Sequence, residues 1–139
     1  MEQTISVITL GIAELARSRR FYHDGFGWSP VFENDDIIFY QMNGLVLGTW
    51  LADALARDAQ RPASAPGNLA LAHNVRAQDQ VVPTMARLVA AGGQMLRPAD
   101  APPHGGLRGY IADPDGHVWE IAFNPAWTMD ESGHVGFGA

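Results

Sequence analysis

The chain of 139 residues contains no cysteine, and its nine basic residues are all arginine, so lysine is absent as well. Without thiols there is no disulfide framework, no cysteine-ligated zinc and no cysteine nucleophile. Without a lysine side chain, Schiff-base chemistry and the lysine of a phosphate-binding loop are excluded. Positive charge is scarce too, and the net charge is −6. Arg17, Arg19 and Arg20 form the only local cluster, too few for a surface that tracks phosphates. Neither nucleic acid nor an anionic membrane is therefore an expected partner. No run approaches the roughly 18 apolar residues of a membrane span, and Met1 to Thr4 lacks the charged-then-apolar pattern of a signal segment. A cytoplasmic protein of one compact domain is expected. Its chemistry must come from His, Asp, Glu, Tyr, Ser, Thr, Arg or a bound metal.

What the chain does have is many short apolar segments punctuated by 15 glycines and nine prolines. Ile5 to Ile12 is β-branched and alternating, which predicts a strand. A helix from Leu15 to His23 follows, with Glu14 as its cap and Leu15, Ser18, Phe21 and Tyr22 on one face. Strands are predicted at 28–33, 37–42 and 45–51, the last two joined by Asn43-Gly44, a favoured tight-hairpin dipeptide. Asp53 to Gln60 reads as a short helix capped by Asp53, and Pro62 to Gly67 as a linker.

The order then repeats. Leu69 to Val75 predicts a strand, and Asp79 to Ala91 a helix with Val82, Met85, Leu88 and Val89 buried, Pro83 in its first turn and Gly92-Gly93 as its stop. Strands at 94–97, 107–112 and 117–123 complete the second half, the last two joined by Asp113-Pro114-Asp115-Gly116. A duplicated βαβββ module is the simplest reading, with module one at about 5–52, a linker at 53–67, module two at 68–125 and a tail at 126–139. With one face of each sheet covered by its helix, the class is α+β: two modules forming a cupped eight-stranded mixed sheet around a cavity.

The segment ITLGIAELARSRRFYHDGFGW (Ile8 to Trp28) and the closing hairpin YIADPDGHVWEIAF (Tyr110 to Phe123) resemble the vicinal oxygen chelate superfamily. That superfamily includes glyoxalase I, bleomycin-resistance proteins and extradiol dioxygenases. The resemblance spans roughly residues 5 to 125 and implies a single glyoxalase-like domain, a sheet-lined cavity and a homodimer. It also implies metal ligands on the first and last strands of the modules, His or Gln and then His, with glutamates. Glu120 matches the closing-strand glutamate. The first-strand position falls on Val7, its counterpart in the second module on Leu69 or Ala70, and the fourth strand offers Gly48, Thr49 and Trp50. Neither Val7 nor Leu69 or Ala70 ligates a metal, and one carboxylate alone does not hold a divalent cation.

The expected activity is therefore binding of a small, partly apolar or aromatic molecule, with no cofactor. The alternative is a lyase or dioxygenase in which Glu120, with His73 or His104, holds a divalent metal or moves a proton. Alternation puts His73 with Leu71 and Val75 on the helix side, so a satisfied, partly buried residue is the plainer reading. His104 lies in a Pro- and Gly-rich loop that would overhang the cavity or be simply solvated. His117 is three residues from Glu120 and so points to the opposite face of the strand. Glu120, in an otherwise apolar strand, requires an arginine such as Arg108, a hydrogen-bond network, a ligand or a metal. Tyr40, Trp50, Asn74, His104 and Tyr110 are the candidate ligand contacts, and Glu120 is the candidate catalytic residue.

Overall fold

The computed structural model describes residues 1–138. In chain order the elements are β1 (Val7–Ile12), α1 (Leu15–Arg19), β2 (Pro30–Glu33), β3 (Ile37–Gln41), β4 (Val46–Leu51), α2 (Ala52–Ala59), β5 (Ala70–Asn74), α3 (Val81–Ala90), β6 (Gln94–Asp100), β7 (Leu107–Ala112) and β8 (Val118–Phe123). A short hairpin of β9 (Thr128–Met129) and β10 (Val135–Gly136) follows. The α1 helix runs on into a wider, π-helical turn over Arg20–Gly25. A single turn of 3₁₀ helix, Gln78–Gln80, leads into α3.

The two βαβββ modules are present, each with a mixed sheet of four strands in the orders β1-β4-β3-β2 and β5-β8-β7-β6. In each, the first and last strands run parallel, because a helix crosses between them, and the remaining pairs are antiparallel. The eight strands thus form two sheets of four, not closed into one cup within a single chain.

Alternation decides what each sheet buries. On the first, Leu10, Ile38, Tyr40 and Leu47 share one face; on the second, Ile111, Trp119 and Ile121 do. Both faces join Phe21, Tyr22, Val81, Met85 and Leu88 in one core, so the helices lie between the sheets. Each large apolar side chain buried there contributes about 1.5–3 kcal/mol. The opposite faces of both sheets point outward. Val7 is 47% exposed there, and Phe32, beside Phe39 on the same outer face, is 50% exposed.

A clasp ties the modules together. In the turn before β8, Asp113 Oδ1 accepts the backbone N–H groups of Asp115 and His117, while Oδ2 accepts the fully buried Tyr22 hydroxyl at 2.7 Å. The Trp119 indole donates in turn to the Tyr22 oxygen at 3.1 Å. Asp115 Oδ1 takes the Ala13 N–H at 2.8 Å and Arg17 at 2.7 Å, and His117 Nε2 donates to the Gly11 carbonyl at 2.7 Å. The second module's hairpin therefore holds the first strand and helix of the first module. Glu14 occupies the cap position of α1, but its side chain makes no capping bond.

Several local expectations need correction. In α3 the buried stripe is Val81, Met85 and Leu88, whereas Val82 and Val89 are 57% and 39% exposed. Both stripes have helical spacing, but the helix starts at Val81 with Pro83 in its first turn, and packing against β6, β7 and β8 selects the first stripe. Asp53 lies in the first turn of α2 and does not cap it, because β4 passes into that helix directly at Leu51. The strand predicted at 94–97 extends to Asp100 through two irregularities in its pairing with β7.

Candidate functional site

The outer face of the second sheet carries the residues singled out for chemistry. Glu120 on β8 is paired with Ala72 of β5 on one side and Tyr110 of β7 on the other. Its Oε2 accepts the Tyr110 hydroxyl at 2.9 Å, and this bond, with burial secondary, holds the phenol above its ordinary pKa. The partner is thus the tyrosine and not Arg108. Pairing of Asp100 with Arg108 diverts that arginine, and Arg97 donates to the same carboxylate at 2.9 Å. The hydrogen bond from Arg97 is the largest of the influences that hold the Asp100 carboxyl below its usual range. Among the described residues Glu120 has no ion pair, so its carboxylate is half-buried beside a neutral donor.

The positions around it lack further ligating groups. Ala70 and Ala72 share the Glu120 face, and Leu69 precedes the strand. On the first sheet Val7 points outward beside Val46, Gly48 lies under the Phe39 ring, Thr49 is buried on the inner face, and Trp50 faces outward beside Ile37. Among the described residues, no three of His, Cys, Asp and Glu group closely enough to hold a metal ion.

The histidines are scattered. His73 pairs with Ile121 while Ala72 pairs with Glu120, so His73 and Glu120 lie on opposite faces and do not meet within one chain. The half-buried His73 ring stands edge-on to Phe26 at 5.5 Å and Trp28 at 6.0 Å, and burial lowers its pKa. It makes no hydrogen bond among the described residues, against the expectation of a satisfied residue, because its surroundings are aromatic. His104 is exposed in the loop before β7. His23 donates to the Trp28 carbonyl, and His134 pairs with Asp130 in the final hairpin.

Two other candidate contacts sit elsewhere. Tyr40 is enclosed in the core between the sheets and lines no surface, since it lies on the Leu47 side of β3; burial pushes its phenol up to about 12. Asn74, at the end of β5, reaches a cavity that sequence reasoning did not place. This cavity, of about 980 Å³, lies between the modules on their helix-facing sides, and neither Glu120 nor Tyr110 lines it. Trp28, Leu71, His73 and Trp119 form its inner wall, with Arg76 and Arg87 on its lining. Its residues come from both modules and the tail, and no local pattern unites them.

Paired βαβββ modules with an isolated glutamate on the outward face of the closing strand define a glyoxalase-type protein. The chain belongs to the glyoxalase/bleomycin resistance protein/dioxygenase superfamily, whose family model matches residues 4–121. A solved structure of a glyoxalase-related enzyme from Fulvimarina pelagi is 64% identical, with a TM-score of 0.97 over 99% of this chain and 100% of that one. At 21% identity, lactoylglutathione lyase from Agrobacterium tumefaciens shares the fold, with a TM-score of 0.73 over 94% of this chain and 100% of its own. A superfamily enzyme from Burkholderia phytofirmans PsJN, 16% identical, superposes with a TM-score of 0.77 over 86% of this chain and 98% of its own. No curated protein matches the chain.

Proposed function

We propose that this chain binds a small, partly apolar or aromatic molecule over the outer face carrying Glu120 and Tyr110. We further propose that it works as a cytoplasmic homodimer without the complete metal set of the superfamily's metalloenzymes. The observation that carries the reading is the setting of Glu120. Its carboxylate faces outward in an apolar strand, held by one neutral phenol, with Ala70 on the same face at the second module's first-strand position and Val7 at that of the first. This donor set does not fit a divalent ion, which requires several ligands. The second carboxylate oxygen is free to accept a hydrogen bond from a ligand hydroxyl or amide. Tyr110 fixes the orientation of the carboxylate by donating to it. Ala70 and Ala72 on the same face carry only methyl side chains.

The outer face of the first sheet supports the homodimer. Val7 and Phe32 are exposed there, with Ile37, Phe39 and Trp50 partly so, an apolar surface suited to burial against a second copy. A metal site combining Glu120 with His73 is not supported, because the two lie on opposite faces; His104 is the histidine left to that alternative.

The test combines metal analysis, sedimentation and thermal shift on protein purified without chelator. Substoichiometric metal, a dimer, and a stabilisation by an uncharged aromatic probe such as naphthol that Glu120→Ala abolishes are expected. A probe at 100 times its dissociation constant adds about 2.7 kcal/mol. Stoichiometric metal that Glu120→Ala removes overturns the metal-independent reading.

A further inference from the structure

We propose that the cavity between the modules is a second ligand site, built for a small planar aromatic carboxylate and separate from the Glu120 face. Its volume of about 980 Å³ lies at the upper end of the range of small-molecule sites, about 300–1,000 Å³. The inner wall is aromatic and angular. Trp28 and Trp119 stand 5.7 Å apart at 64°, and Phe26 stacks against Trp28 at 4.1 Å, so the corner is stiff. A flat ring entering it would lie against the partly exposed Trp28, with the buried Trp119 behind as the fixed back of the corner.

The polar groups supply the rest of the recognition. His73 sits in this wall with no hydrogen-bond partner among the described residues, an unspent donor or acceptor in an apolar setting. Two guanidinium groups line the cavity farther out. Arg87 has no carboxylate within ion-pair distance among the described residues, and Arg76 spends its donors on the neutral carbonyls of Asp130 and Glu131. Asp79 is the one acid on the lining, so the cationic charge there is in excess. Arginine presents a planar fork that suits a carboxylate, and an aromatic wall below a cationic rim selects a ring that bears an anion.

The final hairpin completes the enclosure. Met129, Gly133 and Val135 line the cavity, and the hairpin is held from both modules, by Arg76 and by the Asn43 amide on the Ser132 carbonyl. An occupant would therefore touch both modules and the tail at once.

The experiment titrates the purified protein with naphthoate, its neutral amide naphthamide, and decanoate, reading tryptophan fluorescence and heat of binding. Naphthoate is expected to bind at least roughly tenfold more tightly than either analogue. Its affinity is expected to fall by a similar factor in Arg87→Gln and in His73→Phe, while Glu120→Ala leaves it unchanged. Absence of naphthoate binding overturns the proposal, as does equal affinity for naphthamide or decanoate, or wild-type affinity in both cavity variants. Loss of binding in Glu120→Ala also overturns it, because the ligand then belongs to the outer face. The reading of the Glu120 face stands or falls separately.

Discussion

Replacing Tyr22 by phenylalanine removes a single oxygen from the middle of the core. That oxygen donates to Asp113 at 2.7 Å and accepts from Trp119 at 3.1 Å, on a ring that is fully buried. The ring and its contacts with Tyr40, Phe26 and Trp119 remain, so the apolar contribution is nearly unchanged. What is lost is one charge-assisted hydrogen bond, about 1.5–3 kcal/mol, and one neutral bond, about 1 kcal/mol, giving roughly 3 kcal/mol together. A domain of this kind has about 5–15 kcal/mol in total, so Tyr22→Phe should still fold but with a large deficit. Urea unfolding at neutral pH is expected to show a lower midpoint with an unchanged slope.

The pH dependence tests the cause. Burial pushes the Asp113 carboxyl above its usual range, while the Tyr22 hydrogen bond pulls the other way. Without that bond the carboxyl rises further. The deficit is therefore greatest where Asp113 is ionised in both proteins, and it narrows as pH falls through the raised Asp113 values. A neutral-pH loss below about 1 kcal/mol, or a deficit that widens on acidification, would refute the account of the clasp.

Two further substitutions probe the same architecture. Asp115→Ala strips the Ala13 N–H, just before α1, of its charged acceptor and should cost about 1.5–3 kcal/mol; Arg17→Ala, which removes only a partly exposed ion-pair partner, should cost less than about 1 kcal/mol. Equal losses in thermal unfolding would place the energy in the ion pair instead. In Gly109→Ala the new methyl would lie 2.3 Å from Met85 Cε and 2.9 Å from the Arg97 carbonyl oxygen. A loss of about 1–3 kcal/mol is expected. A Met85→Ala background should absorb the part of that loss due to Met85, and a neutral result in both backgrounds would contradict the packing.

The duplicated order of elements was readable because its boundaries are marked by turn chemistry. Asn43-Gly44 turns with Gly44 at φ 82°, and Asn34 accepts the N–H groups of Asp36 and Ile37 before β3. Facing was readable only where a polar residue breaks the alternation. On β5, His73 and the alanines declare the two faces, and Glu120 does the same on β8. Strand β3 reads Ile37-Ile38-Phe39-Tyr40, apolar on both faces, so nothing local says that Tyr40 goes inward and Phe39 outward. The same ambiguity affects Val81 and Val82 in α3. The partner of Glu120 depends on the β7–β8 and β6–β7 registers, which bring Tyr110 alongside it and send Arg108 to Asp100. The cavity between the modules was beyond local reading altogether, since its aromatic corner joins Trp28 to Trp119 across the two halves of the chain.

The clasp also sets a schedule for synthesis. The Ala13 N–H and its acceptor on Asp115 are 102 residues apart. At about 5–20 residues per second on a ribosome, the first strand and helix would wait roughly 5–20 s for the residues that secure them. During that interval the indole of Trp119, which packs on Tyr22, has not yet been made, and the inner face of the first sheet has only its own helix to cover it. The N-terminal half is thus made before the residues that fasten it.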